Sequence, residues 1–121
     1  MREMNFTVTS KTITDTAVLY PRGYLNNIAG ESLVRECNAY IEKGIKKMVV
    51  NLGAIEFINS IGISLLLSVI ERLNNCGGTL CLTNISTSYN ETFEMLGLTK
   101  YMLVFKSEEE ALKHLNAAGG K

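Results

Sequence analysis

The chain is short of several things, and each shortage closes off a class of function. It has no excess of either charge: twelve Lys and Arg balance twelve Asp and Glu, for a formal net charge of zero. A nucleic-acid binder concentrates basic side chains to meet phosphates, so direct binding of nucleic acid is not expected. A near-neutral surface is weakly protected against self-association, which predicts a monomer or a weak homodimer. Histidine occurs once, at His114, distant in sequence from any candidate nucleophile. The three cysteines, Cys37, Cys76 and Cys81, have neither CxxC nor zinc-ribbon spacing. They read as reduced structural thiols, with no metal site. The longest uncharged apolar stretch, Ile58 to Ile70, is interrupted by serines, an asparagine and a glycine. A bilayer span needs about 20 predominantly apolar residues, so no membrane insertion is expected. Met1 to Ser10 lack the apolar centre of a signal peptide, which predicts a cytoplasmic protein.

Catalytic signatures are missing too. There is no P-loop, no GxGxxG and no GxSxG elbow, so neither a nucleotide cofactor nor a serine hydrolase is indicated. A receiver domain needs an acidic cluster with a strand-end aspartate, and here Asn51 and Asn59 occupy those neighbourhoods. The chain reads as a binding protein without a cofactor, not an enzyme.

What is present is an ordinary globular composition, 46% hydrophobic and 20% charged, of a size that supports one core. Phe6 and Val8 through Thr12-Ile13 alternate with polar neighbours, the pattern of a half-exposed strand. A turn near Thr14-Asp15-Thr16 leads to a second strand, Ala17 to Tyr20, which stops near Pro21, with Gly23 in the following loop. Asn26 or Asn27 caps a helix carrying Leu33, Val34, Cys37, Tyr40 and Ile41 at helical spacing, and Gly44 ends it. Lys47 to Leu52 reads as a buried strand and Gly53 to Asn59 as a connection. A second helix starts near Ser60 or Ile61, with a narrow polar stripe at Ser64, Ser68, Glu71, Arg72 and Asn75, and stops at Gly77-Gly78. So broad an apolar surface means cover on more than one side. Thr79 to Thr83 is another buried strand. Ser88-x-x-Glu91 and Ser107-x-x-Glu110 match capping boxes for two further helices. The first runs through Phe93 to Gly97 and the second from Glu108 to Leu115, with a strand at Tyr101 to Phe105 between them. The methionines and Tyr40 are expected in the core. Alternating strands and helices predict an α/β fold: a mixed, mostly parallel sheet with an antiparallel edge strand, flanked by about four helices. One domain over 1–117 is expected, with a frayed tail at 118–121. In such sheets binding loops lie beyond the carboxyl ends of the strands, pointing to Gly23–Asn27 and Glu56–Gly62.

Those two loops carry a resemblance. Val49-Val50-Asn51-Leu52, then Ile55-x-Phe57-Ile58, then Asn59-Ser60-Ile61-Gly62-Ile63 resembles the signature of STAS-domain anti-sigma factor antagonists, whose loop usually reads Asp-Ser-x-Gly before a hydrophobic helix. Arg22-Gly23-Tyr24-Leu25-Asn26 is similar to the family's Gly-x-Leu-Asp turn. The order of elements matches over almost the whole chain. The resemblance implies a partner switch. An anti-sigma factor that is itself a serine kinase phosphorylates the antagonist, which then lets go, and a phosphatase resets it. Carried over by position, Ser60 is the phospho-acceptor, and Gly23, Tyr24, Asn26, Asn59, Ser60, Ile61, Gly62 and Ser64 face the partner. Gly62 would leave room for the kinase to approach. The chain departs from the pattern at Asn26 and Asn59, where amides replace aspartates, keeping the shape while losing the charge.

Plainer explanations exist for the same residues. Serine at a helix start is a favoured cap, and Asn59 is equally suited to the role. Glu108-Glu109-Glu110 suits the positive end of a helix dipole. The alternative function is a STAS adaptor that is not phosphorylated, a subunit of a stress-signalling scaffold or a lipid-transport complex.

Overall fold

The computed structural model describes residues 6–100 and 102–119. Two strands come first, β1 (Thr7–Ile13) and β2 (Thr16–Leu25), paired antiparallel from Thr7↔Arg22 to Ile13↔Thr16. The tight turn between them places Thr14 at φ 58°. Helix α1 (Asn27–Glu42), strands β3 (Lys47–Asn51) and β4 (Ala54–Ile58), helix α2 (Ser60–Asn75) and strand β5 (Thr79–Thr83) follow. Helix α3 (Thr87–Met95), a short 3-10 helix (Leu98–Lys100), strand β6 (Leu103–Phe105) and helix α4 (Glu108–Gly119) complete the chain. Six strands form one sheet, five in the order β1-β2-β3-β5-β6 and β4 paired with β2 off that path, all parallel except the β1–β2 pair.

The period-2 alternation of the buried strands divides the core into two layers. Ala17, Leu19, Met48, Val50, Leu80 and Leu82 face the larger one, shared with Leu33 and Cys37 of α1, Leu66 and Leu73 of α2, and Phe93 of α3. Their neighbours Val18, Val49 and Cys81 face the smaller one, closed by Ala111 and Leu115 of α4. Three helices therefore cover one face and α4 the other. Helix α2 packs on both the sheet and α1, as its broad apolar surface requires. Helix α1 ends at Gly44, where Gly44 N–H donates to Ile41 O (2.9 Å) and Ile45 N–H to Tyr40 O (3.1 Å).

The structure corrects the sequence reading in several places. The stretch between Asn51 and Asn59 is not a plain connection: it contains β4, parallel to the far half of β2. Strand β2 does not stop at Pro21. It continues to Leu25, pairing with β3 through residues 16–19 and with β4 through 22–25. Pro21 is tolerated because it falls in the gap between the two parallel pairings, after the last residue paired with β3, Leu19, and before the first paired with β4, Arg22. Gly23 lies inside the strand and not in a loop, at a register shift between Gly23 and Tyr24. Its φ of 108° is open to glycine alone without strain. Helix α3 is capped by Ser86, which accepts from Tyr89 N–H (3.3 Å), and not by Ser88. Ser107 does cap α4, accepting from Glu110 N–H (3.2 Å). That helix runs beyond Leu115 to Gly119, into the expected frayed tail. Met48 and Met102 are buried as expected, but Met95 is 86% exposed. Tyr101, Met1 and Met4 lie outside the described residues.

Candidate partner-binding site

The carboxyl ends of β2 and β4 lie side by side and feed the first turns of α1 and α2. Leu25 pairs with Ile58, and one residue further on Asn59 N–H donates to Leu25 O (3.2 Å). Asn59 then turns the chain into α2. Its backbone is extended, and its Oδ1 accepts from Gly62 N–H at 2.8 Å. On β2 the equivalent device is Asn26, whose Oδ1 accepts from Ala29 N–H at 3.0 Å to start α1. Both amides that replace aspartates are therefore N-caps, and an amide oxygen accepts this bond as a carboxylate would.

With Asn59 in the capping role, Ser60 is left over. It is the first residue of α2, exposed, and among the described residues its hydroxyl makes no hydrogen bond. One turn along, the Ser64 hydroxyl donates to Ser60 O (3.1 Å), and Ser68 donates to Leu65 O (2.6 Å), so both are exposed but occupied by their own helix. Four large apolar side chains stand in the open on these elements. Tyr24 and Phe57 are paired across β2 and β4 with ring centroids 5.7 Å apart and planes tilted by 52°. They are 39% and 46% exposed, with Ile61 at 50% and Ile28 at 72%. Apart from the flanking Arg22, Glu31 and Glu56, this rim carries no charge.

Two of the expected surface residues face inward. Gly62 is buried, and a Cβ there would stand 2.3 Å from the carbonyl oxygen of Leu25. The small residue makes room for the chain's own backbone, not for an approaching kinase. Gly23 is buried in β2. Tyr24, Ser60, Ile61 and Ser64 are exposed, and Asn26 and Asn59 are half-buried, so the first four form surface and the two amides shape it. Ile28 and Phe57 were missed as site residues. Ile28 left a trace: it lies five residues before Leu33, roughly 140° around the helix from the apolar stripe. Phe57 left none, because its exposure depends on the unanticipated β4.

The opposite face of the sheet holds a polar cluster. Glu108, at the start of α4, accepts from Tyr20 hydroxyl (2.9 Å) and from Asn51 Nδ2 (3.2 Å). Lys11 Nζ lies 5.6 Å from the Tyr20 ring centre. Desolvation, with the Glu108 carboxylate, raises the Tyr20 pKa despite the opposing Lys11. This arrangement anchors α4 and contains no nucleophile paired with a base. His114 stacks near Phe105 (5.2 Å), away from Ser60 in the sequence and on the other side of the sheet. Among the described residues no group of three His, Cys, Asp or Glu is placed to hold a metal ion, and no helix is long and apolar enough to cross a membrane.

The mixed sheet flanked by four helices agrees with the match of residues 7–111 to the STAS domain. The chain belongs to the STAS-domain family of anti-sigma factor antagonists. Among its relatives is a Bordetella bronchiseptica protein provisionally named anti-sigma factor antagonist BtrV. It is 31% identical over 90 residues, spanning 74% of this chain and 78% of that protein. The Bacillus cell fate determinant SpoIIAA, in its phosphorylated form, superposes with a TM-score of 0.70 at 25% identity, over 89% of this chain and 98% of that one. An anti-sigma factor antagonist from Mycobacterium paratuberculosis shares the fold, with a TM-score of 0.82 at 19% identity over 93% and 95% of the two chains.

Proposed function

We propose that this protein acts in the cytoplasm as a partner switch: it binds an anti-sigma factor that is also a serine kinase, and phosphorylation of Ser60 ends the complex. The observation that carries the reading is the division of labour at the start of α2. Asn59 satisfies the helix amide, so Ser60 offers a free, exposed hydroxyl beside a ring of uncovered apolar side chains. Tyr24, Ile28, Phe57 and Ile61 supply contact area for the partner, with Ser64 extending the surface along α2. That SpoIIAA exists in a phosphorylated form supports a phosphorylation switch in this chain.

The switch follows from charge. A phosphate adds about −1.5 to −2 charges and three acceptor oxygens at this position. Within the chain, the positive end of the α2 dipole tolerates that charge. Across an interface closed around a neutral hydroxyl and apolar rings, the same group must be desolvated without a prepared counter-charge, which weakens the complex. A phosphatase then restores the binding form. The chain itself performs no catalysis in this scheme.

The deciding measurement is recovery of the tagged chain from its native cells, with peptide mass spectrometry of its partners and of Ser60. A serine-kinase-type ATPase in the bound pool, and phosphate on Ser60 in the unbound pool alone, is the expected result. An unmodified Ser60 with a transport-complex ATPase subunit or a large scaffold would replace this reading with that of a constitutive adaptor. Ser60→Asp and Ser60→Ala separate the two further: the acidic variant loses the kinase and the alanine variant keeps it. If Ser60→Asp binds as well as the unaltered chain, the charge switch is wrong.

A further inference from the structure

Strand β4, which delivers the chain to Ser60, is held on one side only: among the described residues it pairs with β2 alone. Its other edge faces helix α3. There, Ile58 N–H, which points away from β2, donates to the hydroxyl oxygen of Tyr89 at 3.2 Å. Ile58 is the last residue of β4 and stands two residues before Ser60. Tyr89 is itself well fixed. It lies in the first turn of α3, its own N–H is bound by the Ser86 cap (3.3 Å), and its ring packs against the larger core.

We propose that Tyr89 is a positioning residue for Ser60: its hydroxyl pins the outer edge of β4 and thereby sets how the serine is presented. This rests on the reading of Ser60 as the phospho-acceptor. Three bonds converge on the residues just before the serine, and each removes a different freedom. Asn59 N–H to Leu25 O ties the chain to β2, Asn59 Oδ1 to Gly62 N–H sets the helix start, and Ile58 N–H to Tyr89 ties it to α3. The first two are local to the strand pair and the cap. Only the third comes from a separate helix, and without it one edge of β4 has no partner at its site-bearing end. Phosphoryl transfer depends on holding the attacking oxygen in line, so loosening this end slows transfer more than it weakens docking. Of the docking side chains, Tyr24, Ile28 and Ile61 lie on other elements, and Phe57, next to Ile58 on β4, is held from the β2 side by its ring contact with Tyr24 at 5.7 Å.

The test is Tyr89→Phe in the intact chain, which deletes the hydroxyl and keeps the ring. Amide hydrogen exchange followed by NMR is the first readout. The Ile58 amide should exchange about tenfold faster, while the buried amides of Leu80 to Leu82 in β5 keep their rates and certify the fold. Replacing Tyr89 with 3,5-difluorotyrosine, at a pH low enough to keep the fluorinated phenol protonated, retains the hydroxyl but weakens it as an acceptor and should give an intermediate rate. Ile58 exchange within about twofold of the unaltered chain in both variants overturns the proposal. The second readout is phosphorylation of Ser60 by the kinase recovered with the chain. The turnover rate should fall about tenfold with KM nearly unchanged, whereas a merely structural residue would move both or neither. Faster exchange with an unaltered turnover rate also overturns the positioning role. If the unaltered chain accepts no phosphate at Ser60, it is the phosphoswitch that fails, and the exchange rates alone decide whether Tyr89 pins β4.

Discussion

Where the family resemblance leads one to expect an acid, the amide of Asn59 makes the capping bond to Gly62 N–H in full. Replacing it with alanine should destabilise the fold by about 1 kcal/mol, read from a denaturant midpoint. Asn59→Asp should keep the cap and add a charge at the positive end of α2, raising stability by about 0.3–1 kcal/mol at low salt and less at high salt. A carboxylate variant less stable than the unaltered chain would mean that the amide nitrogen, not the oxygen, holds the structure together. Gly62 tolerates no such exchange. An added methyl meets a backbone carbonyl at 2.3 Å, and neither β2 nor α2 can yield cheaply. Gly62→Ala should destabilise by about 1–3 kcal/mol and weaken partner binding with it, because the helix start must shift.

At the scale of elements, helix α3 separates local pattern from actual structure. In the sequence, the Ser88-x-x-Glu91 spacing points to Ser88 as the start. In the fold Ser86 takes the cap, and the helix begins at Thr87 so that Phe93 enters the core fully buried. Ser86→Ala should therefore destabilise by about 1 kcal/mol, while Ser88→Ala stays within about 0.5 kcal/mol of the unaltered chain. Equal effects would restore the capping box at Ser88. The paired rings on β2 and β4 give a second prediction at this scale. Tyr24 and Phe57 are both more than a third exposed, so Tyr24→Ala with Phe57→Ala should change stability little. If they anchor the partner, the pair should weaken its binding by at least about tenfold, since buried aromatic anchors dominate interfaces. Titration of partner binding by calorimetry, beside a thermal melt, distinguishes the two effects.

The whole molecule is two unequal layers about one sheet, and the cysteines report on both. Cys37 lies in the larger layer and Cys81 in the smaller, and burial pushes their thiols up to about 12 and about 11. Cys76, at the end of α2, is exposed. Under native conditions at neutral pH a thiol reagent should modify Cys76 alone, and the other two only as the chain unfolds. Modification of Cys81 without Cys37 would show that α4 opens while the main layer stays closed. The buried Ala111 and Leu115, together with the Glu108 bonds to Tyr20 and Asn51, hold α4 against that opening.

Period and punctuation in the sequence carried most of the architecture. The continuous apolar runs at Ala17 to Tyr20 and Thr79 to Thr83, the apolar stripe of α1 and the glycines at 44 and 77 are local signals, and each folds as local physics dictates. The Asn-Ser-Ile-Gly turn and its partner turn on β2 were legible for the same reason, being contiguous residues with a shared pattern. Strand β4 was not. Its residues 54–58 gain strand structure only by pairing with the far half of β2, a contact such as Arg22 with Ala54 or Leu25 with Ile58 that no window of sequence contains. The exposure of Phe57, the inward turn of Gly62 and the bond from Ile58 to Tyr89 all follow from that pairing. Hydrophobic periodicity records which side of an element is buried, but only the packed tertiary structure decides what lies across from it.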